Sequence, residues 1–252
     1  MHVLVSNDDG IQAPGLLALA QAMLPFGKVT VVAPDENQSA TGHKKTLERP
    51  LRVRRLKDYL TGVEAYSVNG SPSDCVAVAL LGYIKDHVDL VVSGINRGPN
   101  MAQDVTYSGT VSVALESAIF GLPAVAFSLD DRSPDADYSS AAEVAHRVVA
   151  EFCENPFPRM TILNVNIPRG RIKGWKATRQ GVREYRDRLD ERLDPRGQPY
   201  YWIGGEEPIG DVNEVDTDLW AVHNGYVSLT PIHLDLTAHN IVSNIAAWKL
   251  EL

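Results

Sequence analysis

Apolar and polar positions alternate along the first two thirds of the chain with two different periods. Short continuous apolar runs, each closed by turn residues, read as strands buried on both faces: His2–Ser6, Lys28–Ala33, Asp89–Ser93, Ala124–Leu129 and Ile162–Ile167. Leu51–Leu56 and Ala65–Val68 look like two further strands. Between them lie stretches with helical spacing. One opens at Pro14, suited to a first helical turn, and places Leu16, Leu17, Leu19, Ala20 and Met23 on one side. A second is capped by Ser73 or Asp74 and runs through Tyr83, a third spans Thr110–Phe120 and a fourth Tyr138–Cys153. Repeated strand and helix with near-continuous apolar strands predicts a parallel sheet covered on both faces, an α/β fold.

After Pro158 the pattern changes. Residues 169–218 mix charges with turn residues, and Trp175, Tyr200, Tyr201 and Trp202 fall in β-like segments. Tyr226–Ile232 reads as a strand and Asn240–Lys249 as a final helix. The expected division is therefore a core over 1–168 and a smaller β-rich part over 169–252. The basic residues of 169–196 are interleaved with Glu184, Asp187, Asp190, Glu191 and Asp194, which favours a solvated surface or subunit contact over a nucleic-acid patch.

The 252 residues carry 24 Lys+Arg against 32 Asp+Glu, a formal charge of −8. Such a balance argues against a protein that coats a nucleic-acid polymer. It leaves open the binding of one small anion through a metal. Cys75 and Cys153 sit apart in apolar surroundings and are expected to be buried free thiols. The start lacks a basic n-region, and the longest apolar stretch, Thr110–Leu129, contains Glu116, Gly121 and Pro123. These features predict a cytoplasmic protein with no membrane span.

The candidate chemistry sits at strand ends. Asn7-Asp8-Asp9-Gly10 follows the first strand, at the edge where open α/β sheets bind ligands. Adjacent carboxylates repel, and a hard cation such as Mg²⁺, Mn²⁺ or Ca²⁺ would relieve them; an Asx-turn with a helix cap uses the same residue types. The second strand runs into Asp35-Glu36-Asn37-Gln38-Ser39, and the Asp89–Ser93 strand into a loop over Gly94–Gly109 that holds Asn96 and Asn100. Gly94-x-Asn96-x-Gly98 has the outline of a nucleophile elbow, but Asn is no nucleophile. Its carbonyl suits a neutral metal ligand, and a Gly/Asn loop of unusual backbone angles suits the pattern equally. Ser108-Gly109-Thr110 at a helix start offers either an anion site or ordinary capping. Gly42–Thr46 lacks the glycine spacing of a phosphate loop, and neither GxGxxG nor HExxH occurs.

The chain resembles the survival protein E (SurE) family of metal-dependent nucleotidases. The resemblance runs through Leu4–Gly10, Ala13-Pro14-Gly15, Val32–Asp35, Asn37–Ala40, Val68-Asn69-Gly70, Pro72, Asp74-Cys75-Val76, Ser93–Asn96, Gly98-Pro99-Asn100 and Tyr107–Val111. It continues in Asn164–Pro168, Thr178–Gly181 and Gly225–Ser228, nearly end to end and in order. It implies a Rossmann-like three-layer core with a smaller C-terminal β-rich part. It implies hydrolysis of nucleoside 5′- and 3′-monophosphates, with some activity on short polyphosphate, and homodimers or homotetramers that exchange C-terminal segments. Carried over, the ligands of one divalent ion, Mg²⁺ or Mn²⁺, are Asp8, Asp9, Ser39 and Asn96, with Asn37, Ser108, Gly109 and Thr110 around the phosphate.

In that reading Asp8 or Asp9 serves as base, or Asp8 as nucleophile, and Asn96 positions the phosphate. His43 and Asp104 are the candidates for the leaving-group acid. Glu36 departs from the basic residue expected there, and Lys44-Lys45 is more basic than usual, so the 36–46 loop is expected to shape substrate preference differently. The rival readings are a nucleoside N-ribohydrolase, which also uses an early aspartate cluster and a cation, and a non-catalytic nucleotide sensor.

Overall fold

The computed structural model describes residues 1–248 and 250, with only the backbone described at 206–208. Its elements run in the order β1 (His2–Ser6), α1 (Pro14–Met23), β2 (Lys28–Pro34), β3 (Val53–Leu60), β4 (Val63–Val68), α2 (Pro72–Val78), β5 (Leu90–Arg97), α3 (Gly109–Ile119), β6 (Ala124–Leu129), α4 (Ser139–Glu154) and β7 (Thr161–Ile167). There follow β8 (Gly174–Ala177), β9 (Arg183–Leu193), β10 (Pro199–Gly210), α5 (Asp218–His223), β11 (Tyr226–His233) and α6 (His239–Ala246).

All five residues of β1 are buried, as both faces of a central parallel strand require. The strand lies between β2 and β5 in a nine-stranded sheet of order β3-β4-β2-β1-β5-β6-β7-β11-β8. From β4 to β7 every pairing is parallel. Side-chain alternation splits the core in two. Val3, Val5 and Phe127 pack with Leu16, Leu19, Val144, Val148 and Phe152 of α1 and α4. Leu4, Val32 and Val91 pack on the other face with Val76, Val111 and Ala114 of α2 and α3. The three-layer α/β fold expected from the pattern is thus present.

The C-terminal part both returns to this sheet and leaves it. β11 pairs antiparallel with β7, and β8 adds in parallel to β11. β9 and β10 form a separate antiparallel hairpin whose described side chains are almost all exposed. Among the described residues no helix is long and apolar enough to cross a membrane.

Several local expectations are corrected. The cap of α2 is Ser71, neither Ser73 nor Asp74: Pro72 takes the first helical position, and Asp74 closes a capping box in which the Ser71 N–H donates to Asp74 Oδ2 at 2.8 Å. Helical turns continue past α2 to Tyr83, broken by a kink at Gly82, whose φ of +113° is not helical. β5 extends to Arg97, past the expected stop at Ser93, because a bulge lets Ser93 pair with Ala126 and Asn96 with Ser128. Cys75 is buried, but Cys153 is exposed. It follows Phe152 in α4, and a step of about 100° turns it off the buried stripe. The short α5 escapes a periodicity reading, although Thr217 caps it by accepting from the Trp220 N–H at 3.1 Å. The last helix is seen as His239–Ala246; Lys249, expected at its end, lies outside the described residues.

Gly15 shows how closely α1 lies on the sheet: a Cβ there would stand 2.0 Å from the Ile95 carbonyl oxygen. Alanine would gain about 0.8–1.0 kcal/mol of helix propensity, but overpacking against fixed backbone costs about 1–3 kcal/mol or more. Gly15→Ala is expected to lower the denaturant midpoint. An unchanged or raised midpoint would show that α1 can lift off β5 at no cost.

Candidate active site

Three strand ends and one helix start meet above the carboxyl edge of the sheet. After β1 the chain turns through Asn7–Gly10, with the Asn7 side-chain amide donating to the Gly10 carbonyl at 3.1 Å. Gly10 has φ +99° and packs against the Glu36 backbone, and the Gln38 N–H donates to the Asp8 carbonyl at 2.8 Å. The turn after β1 and the loop after β2 are therefore fixed to each other by main-chain contacts.

Asp8 is only 3% exposed and faces the first turn of α3. The Thr110 hydroxyl donates to Asp8 Oδ1. Gly109 lies so near that a Cβ on it would stand 2.6 Å from Asp8 Cβ and 2.9 Å from Oδ2. Only glycine lets the helix start approach the carboxylate this closely. Ser108 caps α3 through its hydroxyl, which accepts from the Val111 N–H at 3.1 Å. Ordinary capping is thus present, and it uses one first-turn N–H, so further amides remain at the positive end of the helix beside Asp8.

Burial pushes the Asp8 carboxyl up to about 6. Hydrogen bonds from Thr110 oppose that rise, and the charge of Asp9 adds to it. Asp9 is also raised by burial, against the Arg97 N–H, which donates to Asp9 Oδ2 at 3.1 Å, and the Arg97 charge. The two acids are thus held together in a place that disfavours their ionisation, and a bound cation would reverse that.

A cleft of about 250 Å³ opens over this point, lined among others by Asp8, Ser39, Asn96, Asn100, Tyr107 and Ser108. The Asn96 side-chain amide donates to the Gly98 carbonyl at 2.8 Å, which leaves its carbonyl oxygen as the atom for a ligand. Asn37 is exposed and does not line the cleft; its Oδ1 accepts the Ser39 N–H at 2.8 Å and sets the turn that carries Ser39. Thr110 and Gly109 lie behind Asp8, and Asp9 is one step away on the Arg97 side.

Among the described residues, no three His, Cys, Asp or Glu side chains gather as a metal site. The available donors are two carboxylates, a hydroxyl and an amide carbonyl. These are hard oxygens, suited to a divalent cation that keeps water or substrate in its remaining positions, and they fit the expected ion.

Neither candidate for the leaving-group acid stands free. Asp104 reaches the cleft, but Arg183 Nη1 approaches its Oδ2 at 2.6 Å and the Tyr185 hydroxyl donates to its Oδ1 at 2.6 Å. His43 is not on the cleft wall and pairs with Glu116 at 2.8 Å. The sequence reading missed Arg132 and Arg183, which bring two guanidinium groups to the cleft. It also passed over the buried amides below it. Asn100 donates its N–H to Asn166 Oδ1 at 2.8 Å and its side-chain amide to Ser128 Oγ at 2.8 Å. Its carbonyl accepts from Asn164 and Asn166 at 2.8 and 2.9 Å. The signal was two asparagines inside the otherwise apolar strand Thr161–Ile167.

A larger cavity, about 760 Å³, lies on the far side of α4, where Phe152, Phe157, Trp175 and Leu229 make an apolar groove. It holds no group of converging acids, so the chemistry belongs to the smaller cleft.

Comparison with known proteins agrees with this geometry. The model of the family described as survival protein SurE matches residues 3–187. The 5′-nucleotidase SurE of Syntrophotalea carbinolica is 46% identical over 252 residues, covering 99% of this chain and 98% of the relative. The 5′-nucleotidase SurE 1 of Thermus thermophilus is 48% identical, over 98% and 97%. The crystal structure of the SurE protein from Aquifex aeolicus superposes with a TM-score of 0.84 at 44% identity, covering 97% of this chain and 98% of that one. The motifs at the strand ends, the layered sheet and the whole-length similarity have one source: the chain belongs to the SurE family.

Proposed function

We propose that this protein is a divalent-cation-dependent phosphomonoesterase that hydrolyses nucleoside 5′- and 3′-monophosphates to nucleoside and phosphate. One observation carries the reading. The positive start of α3 lies directly against the buried Asp8, with the half-buried Asp9 beside it, so the site offers amides to an anion and carboxylates to a cation at the same point. Phosphate bound through a cation satisfies both. The relatives bear the name 5′-nucleotidase, which supports the same substrate class.

Asp8, Asp9, Ser39 and Asn96 would hold the cation, Mg²⁺ or Mn²⁺. When bound, it supplies Lewis-acid polarisation of a phosphoryl oxygen. Ser108 presents its hydroxyl and the α3 start its positive end to the phosphate oxygens, Gly109 and Thr110 hold Asp8 against that start, and Asn37 sets the turn of Ser39. Asp8 or Asp9 accepts the proton of the attacking water as the bond from phosphorus to the sugar oxygen breaks, and the proton is then passed to the departing sugar oxygen. Asp8 as nucleophile is the variant mechanism, to be read by rapid-quench trapping of labelled phosphate. Arg132 and Arg183 on the cleft wall suit further phosphates, in keeping with short polyphosphate as a second substrate.

We assign 1–168 to catalysis and 169–252 to assembly, as a homodimer or homotetramer with exchanged C-terminal segments. The support is apolar surface that one chain leaves bare. Ile241, Val242, Ile245 and Trp248, in and just after α6, are 46%, 50%, 49% and 62% exposed, and the 760 Å³ groove is their chemical complement. We place the protein in the cytoplasm, consistent with two unpaired cysteines.

Phosphate release from AMP and 3′-AMP is expected to require Mg²⁺ or Mn²⁺ and to stop with EDTA. Asp8→Asn is expected to lose about 10²- to 10³-fold in turnover while keeping its far-UV circular dichroism. Release of free base instead would favour the N-ribohydrolase, and saturable binding without turnover the sensor.

Gly109→Ala is expected to push the helix start off Asp8. Displacements of about 1 Å cost up to about 100-fold in rate, and wild-type kcat in this variant would contradict the assigned approach. Ile241→Asp with Ile245→Asp is expected to convert the oligomer to a monomer in light scattering; a wild-type that is itself monomeric at micromolar concentration would end the assembly reading.

A further inference from the structure

Residues 35–52, between β2 and β3, have no helix or strand of their own. A connection of that length in a tightly built domain usually has a function. This one carries Ser39 to the cleft. Ala40, the next residue, has φ +57°, a left-handed conformation that alanine keeps only where its surroundings hold it. The loop therefore needs anchors on both sides of Ser39. Before it, the Gln38 N–H is bound to the Asp8 carbonyl; after it, the Gly42 N–H donates to the Tyr107 carbonyl at 3.0 Å.

The next anchor is ionic. Glu116 is the sole charged side chain of α3 and is 1% exposed, on the layer packed with Val113 and Ala114. An apolar residue would pack there at less cost. Two groups of the loop meet it: His43 Nε2 at 2.8 Å from Oε2 and Lys45 Nζ at 2.6 Å from Oε1. Lys45 also lies 5.7 Å from the centroid of the Phe120 ring. Burial would raise the Glu116 carboxyl, yet hydrogen bonds and charge from His43 and Lys45 bring it below its ordinary value. The carboxylate is thus matched to a docked loop. The backbone on either side of Lys45 is tied to the cap of α2: the Ser71 hydroxyl donates to the Lys44 carbonyl at 2.6 Å, and the Thr46 N–H to Asp74 Oδ1 at 2.9 Å.

We propose that Glu116 is a positioning residue of the active site, which through His43 and Lys45 seats the 35–52 loop, and with it Ser39, on the helix whose first turn faces the phosphate. The proposal rests on the cation reading of the cleft given above. His43 stands four positions after Ser39, a span of at most about 14 Å when fully extended. Gly42 is pinned between them, so His43 and Lys45 back up its bond to Tyr107 in holding the far side of Ser39. His43, weighed from sequence as an acid, and Lys44-Lys45, weighed as a substrate determinant, become parts of one strap.

The test titrates Mn²⁺ alone into the full-length protein by calorimetry and, separately, follows trypsin cleavage after Lys44 and Lys45. Glu116→Ala is expected to weaken Mn²⁺ about tenfold, the lower end of what loss of an outer partner costs a metal site, and to speed cleavage in the loop. Glu116→Gln, which keeps one acceptor oxygen but not the charge, is expected to recover part of both. In a Ser39→Ala background, Glu116→Ala is expected to change Mn²⁺ affinity less than twofold, because the ligand it positions is already gone.

Wild-type Mn²⁺ affinity and loop resistance in Glu116→Ala would overturn the proposal, and so would an undiminished loss in the Ser39→Ala background. Should Glu116→Ala not fold, Lys45→Met releases one arm of the strap from the solvent side and is expected to weaken Mn²⁺ and to speed cleavage after Lys44, the site of the pair that remains, both to a smaller extent; no change in either would also overturn it. A wild-type protein that binds no Mn²⁺ would sink the cation reading instead, with the trypsin comparison still judging the strap.

Discussion

Everything at the site is arranged around the approach of the α3 start to Asp8. The Thr110 hydroxyl bonds the carboxylate and Gly109 gives up its side chain so that backbone can lie against it. This contact joins a carboxylate at the end of a strand to the positive end of a helix, and neither could be moved without breaking the other. It also explains why a buried acid is tolerable at all. Asp8, whose carboxyl is raised to about 6 by burial, sits beside one helix dipole and a neighbour of its own sign, an arrangement completed by a cation and an anion together.

The other strand ends are brought to that contact by polar groups whose burial is compensated inside the fold. The bulge in β5 carries Asn96 to the cleft in a strand that would otherwise end at Ser93. Asn100, Asn164, Asn166 and Ser128 are hydrogen-bonded to one another beneath it, with Asn164 Oδ1 left without a partner. Farther along, Asp218 takes the Ala102 N–H on one oxygen and the Gly181 N–H on the other, each at 2.8 Å. Through these two bonds the C-terminal region is tied to the loop beneath the site as well as to the sheet.

The layers were legible from the sequence because continuous apolar runs and helical stripes have periods that no loop imitates. Asp8, Ser39, Asn96 and Ser108 were legible because small oxygen donors placed just after predicted strands must share one edge of a parallel sheet. What stayed hidden depends on long-range partners. Ser71 as a cap depends on Pro72 being helical. The occupation of Asp104 depends on Arg183 and Tyr185, about eighty residues away and read as solvated charge. The exposure of Cys153 depends on where the stripe of α4 falls after three turns. Asn37 was linked to phosphate through the family resemblance, whereas its contact in the structure is with the Ser39 backbone.

The same dependence on distant partners explains the charge pattern of β9. Its side chains are mostly exposed and of mixed sign, as a solvated hairpin allows. Its first residue differs. The Arg183 side chain is 12% exposed, reaches the cleft wall and pairs with Asp104, while its N–H donates to Gln103 at 2.8 Å. An ion pair this sheltered is costly to break from one side, since the remaining charge is left without a partner. The base of the hairpin is consequently held to the site far more firmly than its tip, where Tyr201, Trp202 and Ile203 stand open to solvent. Charge alone could not have told the two ends of the strand apart; burial does.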